Sequence, residues 1–254
     1  MSDLRRTDSK SPADRQLVIR FEQLSAVPEW VWERTDVEFL CLSDNRLTAI
    51  PEAIGRLTAL RALDFAHNAL TSIPEAIGSL PALCDYLYLA DNLLTDFPAC
   101  VTRLKALRYL GITDNKIMSL PQTLSGLESL VEFRAYNNGM TTLPEAIGAL
   151  PHLRELHLSN NVLTRVPASI GSLAELRILD LRNNKVTEIP ESVGRLSNLL
   201  YLDLRANAFT ALPESLGDLP KLQKLDLRWT SVAAMAGTPS WIARLEARGC
   251  VVLR

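Results

Sequence analysis

The side chains that most often perform catalysis or bind metal ions are sparse in this chain. They are three histidines and four cysteines, at His67, His152, His157, Cys41, Cys84, Cys100 and Cys250. No histidine stands at a metal-ligand spacing from a cysteine, and no glycine-rich phosphate loop is present. Cys41 and His67 form the one pair that could act together in catalysis, and we do not expect this role. The sequence therefore predicts no catalytic residue, no cofactor and no metal site.

Aromatic residues, in contrast, recur at related positions. The five tyrosines all occupy alternating positions of short, regularly spaced segments: Tyr86, Tyr88, Tyr109, Tyr136 and Tyr201. Four charged or titratable residues lie beside or just beyond them: Glu132, Arg134, Glu155 and His157. Tyrosine and arginine are enriched at interface hot spots. We favour a partner-binding patch over the alternative, in which aromatic residues merely suit the half-exposed surface of a sheet.

A second group consists of alternating aspartates and arginines, at Asp180, Arg182, Asp203, Arg205, Asp226 and Arg228. Within each pair the two residues are separated by one position, so their side chains point to the same side of a strand. We expect this group to stabilise the sheet laterally, although surface ion pairs contribute only about 0–1 kcal/mol each. Trp229, which follows the last pair, fits a second contact point and cap packing equally well.

The structural elements that position these residues are predicted from a sequence pattern that recurs along the chain. Residues 176–190 read L-x-x-L-x-L-x-x-N-x-V-x-x-I-P, and the same pattern returns along the chain. Its asparagines lie at Asn45, Asn68, Asn92, Asn115, Asn138, Asn161, Asn184 and Asn207. Each step is 23 residues except the 24 residues from Asn68 to Asn92. Leucines at fixed offsets with this period indicate a leucine-rich-repeat solenoid.

The repeat also predicts the shape of each unit. The L-x-L core forms a short strand, and successive strands stack into a parallel sheet. The asparagine turns the chain inward and its amide forms a buried ladder. The following Pro-Glu-Ala-Ile-Gly type of segment forms a short helical or 3₁₀ turn on the outer side. We therefore predict an α/β fold, a curved right-handed solenoid with the sheet on its concave face and the helical segments on its convex face.

The repeat pattern also sets the domain boundaries. Residues 1–14 are predicted to be a disordered polar tail, residues 15–36 an N-terminal capping repeat, residues 37–230 leucine-rich repeats and residues 231–254 a C-terminal cap. Trp30 and Trp32 are expected to cover the first end. A short helix over 239–249, ended by glycine, and a final strand near 250–253 are expected to close the other. The extra residue between Leu83 and Leu87 predicts a small bulge where that strand begins.

The composition restricts the classes of partner and the cellular compartment that are expected for this protein. The net charge is −2 and no basic block stands out, so neither nucleic acid nor a membrane is the expected partner. The cysteines are widely separated and are expected to be unpaired thiols of a reducing compartment. No apolar run approaches the roughly 18 residues of a membrane span, and the N-terminus does not resemble a secretory signal. These features favour a cytoplasmic protein.

The unit L-x-x-L-x-L-x-x-N-x-L-x-x-L-P-x-x-I-G-x-L resembles the Ras-group, or LPxxIG, class of leucine-rich-repeat proteins. Residues 153–173 and 176–196 match it almost letter for letter, and the resemblance covers about 17–230. It implies a cytoplasmic protein-binding scaffold in signal transduction. The implied partner is a protein or peptide, such as a small GTPase, bound by a monomer. Bacterial relatives occur as stand-alone proteins, so a recognition module of an effector delivered into a host cell is the alternative. Self-association is a third interpretation.

Overall fold

Eleven parallel strands form a single open sheet in the computed structural model, which describes residues 15–234 and 239–254. The predicted disordered tail, residues 1–14, lies outside the described residues. The strands are β1 (Gln16–Val18), β2 (Phe39–Cys41), β3 (Ala62–Asp64), β4 (Tyr86–Tyr88), β5 (Tyr109–Gly111), β6 (Glu132–Arg134), β7 (Glu155–His157), β8 (Ile178–Asp180), β9 (Tyr201–Asp203), β10 (Lys224–Asp226) and β11 (Val251–Leu253). Each pairs with the next strand in chain order, which confirms the predicted solenoid.

The strand register follows directly from the leucine pattern. Leu179 at the centre of β8 lies opposite Leu156 of β7 and Leu202 of β9. These central side chains are at most 2% exposed, and the residues on either side point to the opposite face of the sheet. The core is therefore a continuous stack of aliphatic side chains, and each strand presents its outer residues on the other face.

Short 3₁₀ segments connect the strands, as the sequence predicts. They span Glu29–Glu33, Glu52–Arg56, Glu75–Ser79, Ala99–Arg103, Gln122–Gly126, Glu145–Ala149, Ala168–Ser172, Glu191–Arg195, Glu214–Asp218 and Ser231–Ala234. The proline before a segment is extended, with φ −72° and ψ 152° at Pro144. A Cβ atom on Gly148 would lie 2.2 Å from the carbonyl oxygen of Ser169, so glycine allows neighbouring segments to pack closely.

The asparagine ladder joins each repeat to the one before it. Asn161 accepts the backbone N–H of Met140 at 3.0 Å, and its amide donates to the carbonyls of Ala135 and Leu158 at 3.0 Å. The side chain is buried. Because an unpaired buried polar group costs about 1–3 kcal/mol, this position strongly favours asparagine over an apolar residue.

The two ends of the stack are closed differently. At the N-terminal end Trp32 is 1% exposed, whereas Trp30 is 48% exposed. The expectation that both tryptophans cover this end is therefore wrong for Trp30. At the C-terminal end the helix α1 (Ser240–Ala247) places Trp241 and Ile242 in the core. Gly249 follows with φ +86°, a conformation that glycine adopts readily, and β11 then adds the last strand.

The extra residue of the 24-residue step lies immediately before β4. In neighbouring repeats a single carbonyl, such as that of Glu38, accepts two backbone N–H groups from the next repeat. In this repeat the carbonyls of Cys84 and Asp85 accept one each, from Arg108 and Tyr109. Two residues thus stand where other repeats have one, which is the expected bulge.

Among the described residues, no helix has the length and apolar character needed to span a bilayer.

Candidate partner-binding face

The solvent side of the sheet, called the strand face below, carries three columns of side chains. The first and third residues of each strand form the first two columns, and the residue two positions beyond the strand forms the third. Parallel pairing without a shift places equivalent residues side by side, as for Tyr86 beside Tyr109 and Arg134 beside His157. This register determines which of the predicted site residues meet.

An aromatic cluster lies on β2 and β4. The rings of Tyr86 and Tyr88 stack with centroids 4.5 Å apart and planes at 18°. Phe39 meets Tyr86 edge-on, with centroids 6.0 Å apart and planes at 64°. Contacts of this kind contribute about 0.5–1.5 kcal/mol beyond burial. The cluster is thus a preformed surface whose rings are already fixed before any partner arrives.

Gly111, which the sequence analysis did not identify, makes room for this arrangement. It occupies the strand-face position next to Tyr88 in the sheet. A Cβ atom at Gly111 would lie 3.1 Å from Cδ1 of Tyr88, which is closer than most carbon contacts. The signal was available, since glycine inside a strand often marks a close approach. The tyrosine ring therefore lies over the backbone of β5.

A cavity of about 230 Å³ opens beside Tyr88. Its floor consists of small side chains from neighbouring repeats: Ser43, Ala66, Ala90, Gly111 and Thr113. Tyr88, Arg134 and Tyr136 line its walls on one side, and Arg20 and His67 on the other. The fold thus brings three of the predicted site residues around one depression of a size suited to a single side chain of a partner.

Burial alters the acidity of the two stacked tyrosines. Desolvation raises the pKa of Tyr86 to about 12 and also raises the pKa of Tyr88. Both phenols therefore stay protonated well above neutral pH and can donate hydrogen bonds. A hydrogen bond with Asp91, 2.8 Å from the ring nitrogen, raises the pKa of His67. The cavity thus places the phenol of Tyr88 near a histidine whose pKa is raised by its carboxylate neighbour.

A wider cavity of about 580 Å³ lies where the strands β2–β4 begin. Phe39 and Tyr86 form part of its wall. Its rim carries two ion pairs between successive repeats, Arg15–Glu38 and Arg61–Asp85. The sequence analysis missed these pairs because the partners are 23 and 24 residues apart and belong to no recognised motif. The aromatic cluster is consequently flanked by depressions on two sides.

The charged residues next to the cluster contact one another. Arg134 forms an ion pair with Glu132 on the same strand. His157 Nε2 lies 3.1 Å from Glu155 Oε2. Glu132 and Glu155 are direct neighbours in the sheet, so two carboxylates, an imidazole and a guanidinium occupy one small area. This group adjoins the cavity through Arg134.

Two other predicted residues, Tyr109 and Tyr201, lie on the strand face at different distances from the aromatic cluster. Tyr109 lies beside Tyr86 in the sheet, and the guanidinium of Arg108 lies 5.7 Å from the centre of its ring. Tyr201, in β9, is five strands from β4, roughly 24 Å away at about 4.8 Å per strand. It instead borders a smaller cavity of about 170 Å³ with Ile178 and Lys224. Tyr201 therefore does not belong to the aromatic cluster.

The aspartates that end β8–β10 pair mainly with arginines of their own repeats. Asp180–Arg182, Asp203–Arg205 and Asp226–Arg228 approach to 3.5, 3.1 and 2.6 Å. One contact crosses between strands, from Arg205 to Asp226 at 3.8 Å. Most of the electrostatic contact is therefore local, and lateral bridging contributes less than the sequence suggested.

Two further sequence alternatives are settled by geometry. Trp229 is 72% exposed and has φ +60°, so it does not pack under the C-terminal cap. The Cys41 sulfur contacts Ser43 at 3.2 Å and Asp64 at 3.6 Å, whereas His67 contacts Asp91. Burial raises the pKa of Cys41, which lowers its reactivity as a nucleophile. Cys41 and His67 thus have separate hydrogen-bond partners.

Comparison with known proteins agrees with this architecture. Residues 144–245 match a family model described as a leucine-rich repeat region, and residues 37–94 match one described as a leucine rich repeat. No curated protein sequence matches. A leucine-rich-repeat protein of Leptospira interrogans is 25% identical, with a TM-score of 0.60, over 94% of this chain and 77% of that one.

Two further solved structures are similar to this chain over part of their own length. The ectodomain of the Arabidopsis thaliana receptor kinase GASSHO1/SCHENGEN3, in complex with Casparian strip integrity factor 2, is 30% identical with a TM-score of 0.75. The PEPR1–AtPEP1 structure is 29% identical with a TM-score of 0.73. These alignments cover 90% and 88% of this chain but only 28% and 32% of the matched chains. Together with the strand register and the asparagine ladder, these matches identify the chain as a leucine-rich-repeat protein.

Proposed function

We propose that this protein is a non-enzymatic scaffold that binds a protein or peptide on its strand face. The contact surface is centred on Tyr86, Tyr88, Tyr109, Arg134, Tyr136 and His157, with Glu132 and Glu155 beside them and Tyr201 at a distance. Repeat solenoids present extended surfaces of this kind to their partners. The predicted adaptor role follows from this surface, and no catalytic step is needed to explain it.

The stacked pair Tyr86–Tyr88, with Gly111 beneath it, carries the proposal. The core does not require aromatic rings at these positions, because the strand face is outside the hydrophobic stack. Tyr88 remains 38% exposed, although its ring is fixed by Tyr86 and the backbone of β5. A rigid, partly exposed aromatic surface next to a side-chain-sized cavity is the arrangement expected of an interface anchor.

Two of the similar structures support a binding role, because they contain a bound partner. The GASSHO1/SCHENGEN3 ectodomain was solved in complex with Casparian strip integrity factor 2, and the PEPR1 structure contains AtPEP1. Since the present chain spans less than a third of those chains, we transfer only the general mode of binding. The identity of the partner must come from experiment.

The finer assignment rests on the outer segments. Residues 143–148 read Leu-Pro-Glu-Ala-Ile-Gly and residues 166–171 read Val-Pro-Ala-Ser-Ile-Gly, which resemble the LPxxIG class. We therefore assign the chain to this class, place it in the cytoplasm as a monomer and take a signalling protein such as a small GTPase as its partner. Light scattering at decreasing protein concentration tests the monomeric state, since a molar mass that falls on dilution would show self-association.

The experiment compares three proteins as bait in cell lysate. They are the wild type, the double variant Tyr88→Ala/Tyr136→Ala, and a control variant Leu93→Ala/Met118→Ala. Leu93 and Met118 are 41% and 63% exposed and lie outside the strand face. Thermal unfolding first establishes that all three fold. The captured proteins are then identified by mass spectrometry and their affinities measured.

We expect a partner retained by the wild type and the control but lost from the tyrosine variant. Equal retention by all three would place binding on another surface and refute the proposed site. Loss from the control alone would move the site to the side on which Leu93 and Met118 are exposed.

A further inference from the structure

Three metal-ligating side chains converge between β6 and β7. Glu132 and Glu155 pair directly in the parallel register, and His157 follows two residues later on β7. One ligand atom from each residue lies within 4.8 Å of the others. The two glutamates are 23 residues apart, so no short sequence motif connects them. Only the stacking of successive repeats brings this donor set together.

The charges of this group are less well balanced than those of the neighbouring strands. Asp180, Asp203 and Asp226 each contact an arginine two residues further along the chain, just beyond the end of the strand. Glu132 likewise contacts Arg134, two residues further along the chain. At the corresponding place the partner of Glu155 among the described residues is His157. Like charges side by side on neighbouring strands are unfavourable, so a cation between the two carboxylates would relieve the repulsion.

The chemistry of the donors selects the kind of cation. An imidazole nitrogen and carboxylate oxygens together suit Zn²⁺ and related divalent transition metals, whereas Mg²⁺ and Ca²⁺ prefer oxygen ligands alone. Zn²⁺ sites with three protein ligands keep a further coordination position open. The donor set here has this composition, with one nitrogen and two oxygens on the strand face.

The side chains are partly held in place before any ion binds. Glu132 and His157 are only 16% and 21% exposed at their side chains, whereas Glu155 is 37% exposed. Arg134 holds one oxygen of Glu132, which leaves its second oxygen for an ion. Zn–O and Zn–N distances are about 2.0–2.2 Å. Rotation of the more exposed Glu155 would therefore be the main adjustment.

We propose that Glu132, Glu155 and His157 bind one divalent transition-metal ion of the Zn²⁺ type on the strand face. The three side chains lie on the same face of the sheet as the aromatic cluster, on β6 and β7. The metal site shares these three residues with the proposed contact surface, but its test is separate from the test of the scaffold function, because it uses the metal alone and requires no protein partner. A protein that binds no metal could still capture its partner, and the reverse is equally true.

The test is calorimetric titration of Zn²⁺ into the full chain without an affinity tag. The Cys84→Ser background removes a partly exposed thiol, because a cysteine thiolate is a Zn²⁺ ligand and would compete in the titration. In this background we expect one equivalent of Zn²⁺ to bind. Glu155→Gln and His157→Ala should each lower the affinity about tenfold or more, as loss of a ligand or its support does. Glu155→Gln keeps the side-chain shape, and a thermal unfolding curve verifies folding of both variants.

A matched control is provided by the outer surface. His152 contacts Glu175 at 3.2 Å and Arg154 contacts the same carboxylate at 2.9 Å, so this group has a His, a Glu and an Arg but lacks the second carboxylate. His152→Ala should leave Zn²⁺ affinity unchanged. Co²⁺ gives a second measurement, since its visible absorption bands should appear with the parent and disappear in His157→Ala.

Three outcomes would overturn the proposal. They are the absence of saturable Zn²⁺ binding, an affinity unchanged in a folded Glu155→Gln variant, and a loss in His152→Ala as large as that in His157→Ala.

Discussion

The strand face has two regions of opposite character on one scaffold. The aromatic half, β2–β6, carries Phe39, the stacked tyrosines and a floor of small side chains. The ladder half, β8–β10, carries aspartates and arginines that contact one another. A partner covering the aromatic half gains from burying apolar surface, at roughly 25 cal/mol per Å². In the ladder half it would have to desolvate charges that are already paired, which is unfavourable.

The comparison indicates that the repeat fixes the scaffold and leaves the strand face variable. The central residues of the strands are buried in both halves, and the asparagines Asn115 and Asn184 are buried to nearly the same degree, at 9% and 8% exposure. Side chains on the strand face contribute little to that core. The two halves should therefore respond equally to changes in the scaffold and differently to changes on the face.

The largest expected effect is on the asparagine ladder. Asn115→Leu in the aromatic half and Asn184→Leu in the ladder half should each destabilise the fold by about 1–3 kcal/mol, because backbone groups lose their partners. Asn115 and Asn184 are 9% and 8% exposed and make the same set of hydrogen bonds. Denaturant unfolding measures both. A loss in only one half would contradict an equivalent scaffold.

Tyrosine substitutions should separate the halves by function. Tyr88→Ala/Tyr136→Ala is expected to lower partner affinity at least about tenfold, as hot-spot truncation does. Tyr201→Ala, in the ladder half, should lower it less, since Tyr201 lies outside the aromatic cluster. Affinity measured on the captured partner decides between them. An equal loss from both variants would show that the partner covers the whole strand face.

A smaller effect is expected at the glycine beneath Tyr88. Gly111→Ala places a Cβ atom 3.1 Å from the Tyr88 ring, so the ring must shift, and we expect partner affinity to fall about threefold to tenfold. Gly139→Ala is the matched control, because the nearest atoms to its Cβ would be 3.8 Å away. Near-identical affinities for the two variants would remove Gly111 from the site.

The smallest effect concerns the ladder half and its response to pH. Burial of Asp226 acts to raise its pKa, but the hydrogen bonds from Arg228 outweigh it and the pKa is lowered. Asp226 therefore contributes stability above its ordinary pKa of about 4, and this contribution is lost as the pH falls through its lowered value. Asp226→Asn should cost on the order of 1 kcal/mol at pH 7, and the difference should vanish in acid.

Asp203 provides the opposite control. Burial raises its pKa, so its contribution is present below its ordinary pKa and is lost as the pH rises through the raised value. Asp203→Asn should therefore cost less at pH 7 than Asp226→Asn. Unfolding free energies measured from pH 3 to 7 test the pair, and parallel curves for the two variants would contradict the assignment.

Much of the fold could be predicted from the sequence because the structure of each repeat depends on residues that are close together in the chain. The spacing of Leu176, Leu179 and Leu181 determines which side chains enter the core. Asn184 follows at a fixed distance, where its amide forms hydrogen bonds with backbone groups of its own and adjacent repeats. Gly249 after an amphipathic segment indicated the end of a helix. In a solenoid each unit contacts only its neighbours, so a local pattern is sufficient to specify the architecture.

The arrangement of the strand face was decided by contacts between repeats, which the pattern does not encode. The tyrosines could be placed on this face from sequence, but not the ring of Tyr88 over Gly111 or the distance of Tyr201 from the others. The exposure of Trp30 was likewise not predictable, because it depends on how the first repeat closes. The convergence of Glu132, Glu155 and His157 required the parallel register. The sequence determined the scaffold through local periodicity, and the tertiary structure alone decided which side chains from different repeats meet.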